Sequence, residues 1–127
     1  MIDEMNELLG PLLPLKIHKV DAHGMNLGLN GEGWGFSARS AWRVTRHGVV
    51  EIAGGQSEDF LLRMQKLCGL SILSIALQSP RMSGDLAIEL TDGWWVEIFS
   101  DQPVDPWVMV IPGKTFVGSP SDPRFLA

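Results

Sequence analysis

The chain has a single cysteine, Cys68, which excludes an internal disulfide. Long hydrophobic runs are missing: Glu or Asp interrupts every stretch that approaches membrane-spanning length. The opening residues, MIDEMNELLG, carry acids where a secretory leader carries Lys or Arg, and no apolar middle region follows. Without a leader or a disulfide pattern, the expected compartment is the cytoplasm. Basic residues are also scarce. Ten Lys and Arg against 15 Asp and Glu give a net charge of −5, a poor match to the phosphate backbone of a nucleic acid. What remains is ordinary for a globular protein: 127 residues, 45% apolar and 20% charged, which predict one domain over 1–127.

The charge is unevenly placed. From Lys16 to Gly48 the five bases Lys16, Lys19, Arg39, Arg43 and Arg46 face two acids, Asp21 and Glu32. From Arg81 to Asp105 one base faces six acids: Asp85, Glu89, Asp92, Glu97, Asp101 and Asp105. Such a segment repels nucleic acid and attracts a basic protein surface. The same acids also suit the solvated side of a half-buried sheet.

Reactive constellations are as sparse as cysteine. Gly31-Glu32-Gly33-Trp34-Gly35 follows a strand but opens no helix, so no helix N-terminus faces a phosphate there. His18 and His23 stand on opposite faces of any straight strand, and no Cys or carboxylate completes a zinc set. Asp21 and His23 share a face, yet no Ser or Cys is placed as a nucleophile beside them. Gly35-Phe36-Ser37-Ala38-Arg39 lacks the glycine that a nucleophile elbow requires. No catalytic residue, metal ligand or cofactor is assigned from these patterns, and the expectation is that the protein is not an enzyme.

What the sequence does contain is alternation, and it appears twice. Leu8-Leu9-Gly10 matches Leu67-Cys68-Gly69, and Met25, Leu27, Leu29 match Leu86, Ile88, Leu90. The turn Asn30-Gly31 matches Asp92-Gly93, Trp42-Arg43-Val44 matches Trp107-Val108-Met109, and Gly48 matches Gly113. The expected organisation is a pseudo-repeat over about 1–55, a second over about 56–118, and a C-terminal tail over 119–127. Each copy reads as one short helix followed by strands. Asp3 is the expected N-cap of the first helix, which stops by Gly10-Pro11. Ser57 is the expected cap of the second. Its apolar stripe is Phe60, Leu61, Met64, Leu67 and Cys68, and Gly69 ends it. Strands are predicted over 15–21, 25–30, 33–38, 41–46, 49–53, 70–78, 85–90, 94–99 and 107–111. The fold class is α+β: a strand-rich, antiparallel twisted sheet or a small barrel with two short helices.

The stretch LAIELTDGWWVEIFSD raises the functional question, because neighbouring strand residues point to opposite faces. A loop of Thr91-Asp92-Gly93 pairs Leu90 with Trp94, Ile88 with Val96 and Leu86 with Ile98, and buries one clean apolar side. Trp94 then belongs to the core. Trp95 and Phe99 are left on the outer face with Asp85, Glu89 and Glu97. Aromatic anchors rimmed by charge are typical of binding hot spots. A helix or the C-terminal tail lying over that face is the structural alternative.

The repeated helix end and strand, the hairpin LAIELTDG, the run WWVEIFSD and Trp107 resemble small bacterial immunity-like proteins found beside polymorphic or contact-dependent toxins. The resemblance covers Leu67 to Gly113 best and Leu8 to Gly48 more weakly. It implies a cytoplasmic, non-enzymatic protein that binds and neutralises a toxin domain. The candidate partner-binding residues are Asp85, Glu89, Trp95, Glu97, Phe99, Asp101 and Asp105. Two other roles stay open: a barrel-like binder of a small apolar ligand and a structural homodimer subunit.

Overall fold

The computed structural model describes residues 1–23, 26–53, 60–82 and 84–120. Helix α1 (Ile2–Leu9) and helix α2 (Phe60–Met64) each run on into a 3₁₀ turn, at Gly10–Leu12 and Gln65–Leu67. The strands of the first half are β1 (Leu15–Lys16), β2 (Lys19–His23), β3 (Asn26–Gly31), β4 (Trp34–Ala38), β5 (Ala41–Arg46) and β6 (Val49–Ala53). Those of the second half are β7 (Ser71–Leu77), β8 (Leu86–Leu90), β9 (Trp94–Phe99), β10 (Trp107–Ile111) and β11 (Lys114–Val117).

The strands form two open antiparallel sheets. One has the order β1-β7-β8-β9-β5-β6, the other β11-β10-β4-β3-β2. Each contains a three-strand meander from one half of the chain joined to a hairpin from the other half. The joints are β5 on β9, with Trp42 across from Ile98, and β4 on β10, with Trp107 across from Ala38. The chain changes sheet after β1, after β4 and after β9, and a buried serine sits at each of the last two crossings, Ser40 and Ser100.

Alternation explains which side of each strand is buried. Leu27, Leu29, Trp34, Phe36, Ala38, Trp107 and Met109 line the inner side of the five-stranded sheet. Trp42, Val44, Leu86, Ile88, Trp94, Val96 and Ile98 line that of the six-stranded sheet, and all belong to one hydrophobic cluster. Each fully buried large apolar side chain in it stabilises the fold by roughly 1.5–3 kcal/mol. Phe36 stacks on Trp107 with ring centroids 6.1 Å apart. The helices cover the open sides between the sheets. α1 buries Met5 and Leu9, touches β7, and its Glu4 pairs with Lys114 of β11 at 3.3 Å. α2 touches β2 and β6. Gln65 donates to the Val20 carbonyl at 3.2 Å, and the Arg63 guanidinium donates to the Glu51 carbonyl. Those carbonyls lie on edge strands, so α2 occupies acceptors that a further strand would use.

The expected single sheet or barrel is replaced by two sheets, and neither closes. The first predicted strand is split: Ile17 and His18 leave β1 for contacts with Leu70 and Asn30 before β2 begins. The tight turn is at Glu32-Gly33, not Asn30-Gly31. Gly31 pairs with Trp34 inside the hairpin, and Gly33 takes the positive φ of 77°. Gly31 is needed for another reason, since a Cβ there would run into the Trp34 indole. Asp3 lies inside the first turn of α1 and does not cap it. Gly10 is helical at φ −46°, whereas Gly69 has φ 89°, so these two glycines are not structural counterparts. Of the predicted α2 stripe, Met64 and Leu67 are buried and Leu61 is exposed. Ser57, Met25 and residues 121–127 lie outside the described residues. Strand β11 was not predicted: only Phe116 of its four residues is buried, so its alternation is too short to register. Among the described residues no helix is long and apolar enough to cross a membrane.

Candidate functional site

The β8–β9 hairpin has the register that the apolar alternation requires. Leu86 faces Ile98, Ala87 faces Glu97, Ile88 faces Val96 and Glu89 faces Trp95. The loop is Thr91-Asp92-Gly93, with Asp92 at φ 61° and Gly93 at φ 77°. Gly93 is also closely approached: the turn residue His47 donates its backbone N–H to the Gly93 carbonyl at 3.1 Å, and a Cβ on Gly93 would strike the His47 ring. Turn chemistry and the apolar side agree, so Trp94 goes inward at 7% exposure and Trp95 outward, half-buried.

The outer face of the six-stranded sheet is built from short cross-strand rows. Ser74 lies across from Glu89, and Glu89 from Trp95; Trp95 in turn lies across from Thr45. In the next row Ala76, Ala87, Glu97 and Arg43 follow one another. Phe99 and Ala41 begin a third. All of these are partly exposed, so the described elements leave the face open. The alanines are short beside the Trp95 indole. A shallow trough of about 430 Å³ lies there, lined by Thr45, Ala76, Ala87, Trp95 and Glu97 among others.

The charges of this face are partly answered from within. Arg43 donates from Nε to Glu97 Oε1 at 2.7 Å, and its guanidinium lies over Phe99, 5.2 Å from the ring centroid. Since Arg43 is well exposed, this pair is worth at most about 1 kcal/mol. Glu89 accepts from the Ser74 hydroxyl at 3.0 Å. Beyond the face, Arg46 lies over Trp94 at 5.1 Å.

Four of the seven candidate residues therefore meet on one face: Glu89, Trp95, Glu97 and Phe99. The other three do not. Asp85 was expected on the outer face with Trp95 and Phe99, but the chain turns at Gly84 and Asp85 is buried at 8% exposure. Its Oδ1 accepts the Ser100 N–H at 2.8 Å. Together with the bonds from Trp107 Nε1 to the Gly84 carbonyl (3.1 Å) and from Ser40 Oγ to the Pro106 carbonyl (3.1 Å), it holds the crossing between the sheets. Asp101 and Asp105 are exposed in the crossing loop, where Asp101 Oδ1 accepts the Ala41 N–H at 3.0 Å. Sequence reasoning missed Arg43 and Thr45, because the pairing of β5 with β9 brings them from the other half of the chain. The one available signal was the outward position of Arg43 between Trp42 and Val44.

Among the described residues no group of three or more His, Cys, Asp and Glu is placed to hold a metal ion. No protein-family model, curated protein or solved structure matches the chain.

Proposed function

We propose that the protein is a non-enzymatic protein-binding domain and that it docks its partner on the outer face of the six-stranded sheet. The observation that carries this reading is Trp95, a large ring turned away from the core onto an open face beside a trough. Aromatic side chains of that kind supply most of the binding energy at interfaces when a partner excludes water around them. The partner that fits is basic, in keeping with the immunity-like resemblance, in which a cytoplasmic protein neutralises a toxin domain. The contact set is narrower than the acidic run suggested: Glu89, Trp95, Glu97 and Phe99, extended by Arg43 and Thr45.

The same reading includes a duplicated unit. Supporting it, the orders β2-β3-β4-β10-β11 and β7-β8-β9-β5-β6 correspond strand for strand. Ser40 and Ser100 then correspond, as do Trp42 and Trp107 and the two 3₁₀ turns. Leu27 corresponds to Leu86 and Leu29 to Ile88, two residues away from the alignment that the sequence suggests. Length differences fall in connections, such as the longer crossing between Ser100 and Trp107. The outer face is then a feature of one sheet on a scaffold that presents two.

The test is co-purification with the product of the adjacent gene, followed by titration. A 1:1 complex is expected, weakened at least tenfold by Trp95→Ala and weakened by Glu89→Lys, with the fold intact by circular dichroism. A complex that tolerates both changes would sink the docking face.

A further inference from the structure

On the outer face of the six-stranded sheet, one arginine is already held by an aromatic ring and a carboxylate. Arg43 pairs with Glu97 at 2.7 Å and covers Phe99 at 5.2 Å. One row further on, Trp95 and Glu89 stand directly across from each other on neighbouring strands. They offer the same two chemical groups, but among the described residues no cation lies over Trp95 and none pairs with Glu89. Among the described residues Glu89 accepts from the Ser74 hydroxyl alone. The two rows hold two carboxylates, Glu89 and Glu97, and one guanidinium, Arg43, so these rows carry one more negative charge than positive. Ala76 and Ala87 leave a trough open on the Glu97 side of the indole, while Glu89 stands outside it, across from Trp95 on the neighbouring strand.

We propose that Trp95 and Glu89 form an arginine-binding site, in which a guanidinium from a partner protein lies flat on the indole and pairs with the carboxylate. This rests on the docking face proposed above and names the group that the face recognises. Arginine fits better than lysine: a planar, weakly hydrated guanidinium stacks on a ring while keeping its N–H groups in plane for a carboxylate. Lysine's compact ammonium is more strongly hydrated. The protein uses this stacking twice with its own residues, Arg43 over Phe99 and Arg46 over Trp94.

The probe is a capped Gly-Arg-Gly tripeptide, added to the full chain labelled with ¹⁵N. The readout is the indole N–H resonance of Trp95, identified by its loss in Trp95→Phe. A single stacked pair is weak, so saturation is expected on the order of millimolar to tens of millimolar. The Trp95 resonance should shift saturably, and the other indoles should stay. A capped Gly-Lys-Gly peptide should bind at least threefold more weakly. Glu89→Gln, which keeps shape and removes charge, should weaken the arginine peptide about threefold or more. No shift at Trp95, an equal response to lysine, or an unchanged affinity in Glu89→Gln would overturn the site. The two proposals separate cleanly. If the peptide leaves Trp95 unmoved while Trp95→Ala still weakens the partner complex, arginine recognition falls and the docking face stands. If the peptide binds as described but no partner complex responds to Trp95→Ala, the site stands and the docking role falls.

Discussion

Each sheet joins a three-strand meander to a hairpin, but the two present different outer faces. In the six-stranded sheet Trp95 lies between Glu89 and Thr45, and Glu97 between Ala87 and Arg43. In the five-stranded sheet Gly35 lies between Asn30 and Val110, and Ser37 between Gly28 and Val108. One face carries rings and the Arg43–Glu97 pair; the other carries glycines and valines, with the exposed Lys19–Asp21 pair on its edge strand, over its own shallow trough of about 320 Å³. The inner faces do not differ in this way, since both alternate large apolar residues into one core. A packed interior constrains both sheets alike, whereas an outer face is constrained only by what it meets. On the reading proposed above, recognition belongs to only one of the two.

The largest effect should separate inner from outer residues. Trp94→Ala is expected to lower the unfolding free energy by about 3–5 kcal/mol, the range for emptying a buried aromatic site. Trp95→Ala should cost less than about 1 kcal/mol, as a surface change does. Urea unfolding of both variants checks this, and equal losses would erase the distinction. The next effect separates the acids. Asp85→Ala removes the acceptor of the buried Ser100 N–H and should cost about 1–3 kcal/mol. Asp101→Ala, exposed in the loop, should cost under about 1 kcal/mol in the same assay. A tolerant Asp85 would return it to the surface set.

Two smaller effects sharpen the contrast between the faces. Glu97→Gln should cost about 0.5–1 kcal/mol at low salt, and the loss should shrink in high salt as screening replaces the pair. On the other sheet, Gly28→Ala should stabilise by about 0.4–1 kcal/mol. A Cβ there meets its nearest atom at 3.4 Å, an ordinary contact, and the backbone has no positive φ. Gly35→Ala should gain less or lose, because Asn30 Oδ1 would lie 2.9 Å away and must move. Thermal melts of the two glycine variants give the comparison directly.

The parts legible in the sequence were those fixed by near neighbours. The register of β8 against β9 followed from alternation, because a slip by one residue would have turned Leu86, Ile88 and Leu90 outward. The split between Trp94 and Trp95 came with it. Hidden from the sequence was the exchange of hairpins between sheets. Alternation does not say which strand Trp42 and Trp107 lie beside, and both pairings join residues distant in sequence. Arg43 therefore appeared as an isolated base, and Glu97 as an unpaired acid. Asp85 misled for a local reason: it extends the period of β8 by one step, but the strand begins only at Leu86. At Asn30-Gly31-Glu32-Gly33 two turn-forming pairs compete. The chain turns at the second, which sets Leu29 directly across from Phe36 on the inner side.

The most direct measurement compares the faces through the partner itself. In the purified 1:1 complex, Trp95→Ala on the six-stranded sheet should lower affinity at least tenfold, while Val110→Ala at the matching edge of the other trough should leave it within twofold. A complex that loses affinity with Val110→Ala and keeps it with Trp95→Ala would place recognition on the wrong sheet and contradict the account.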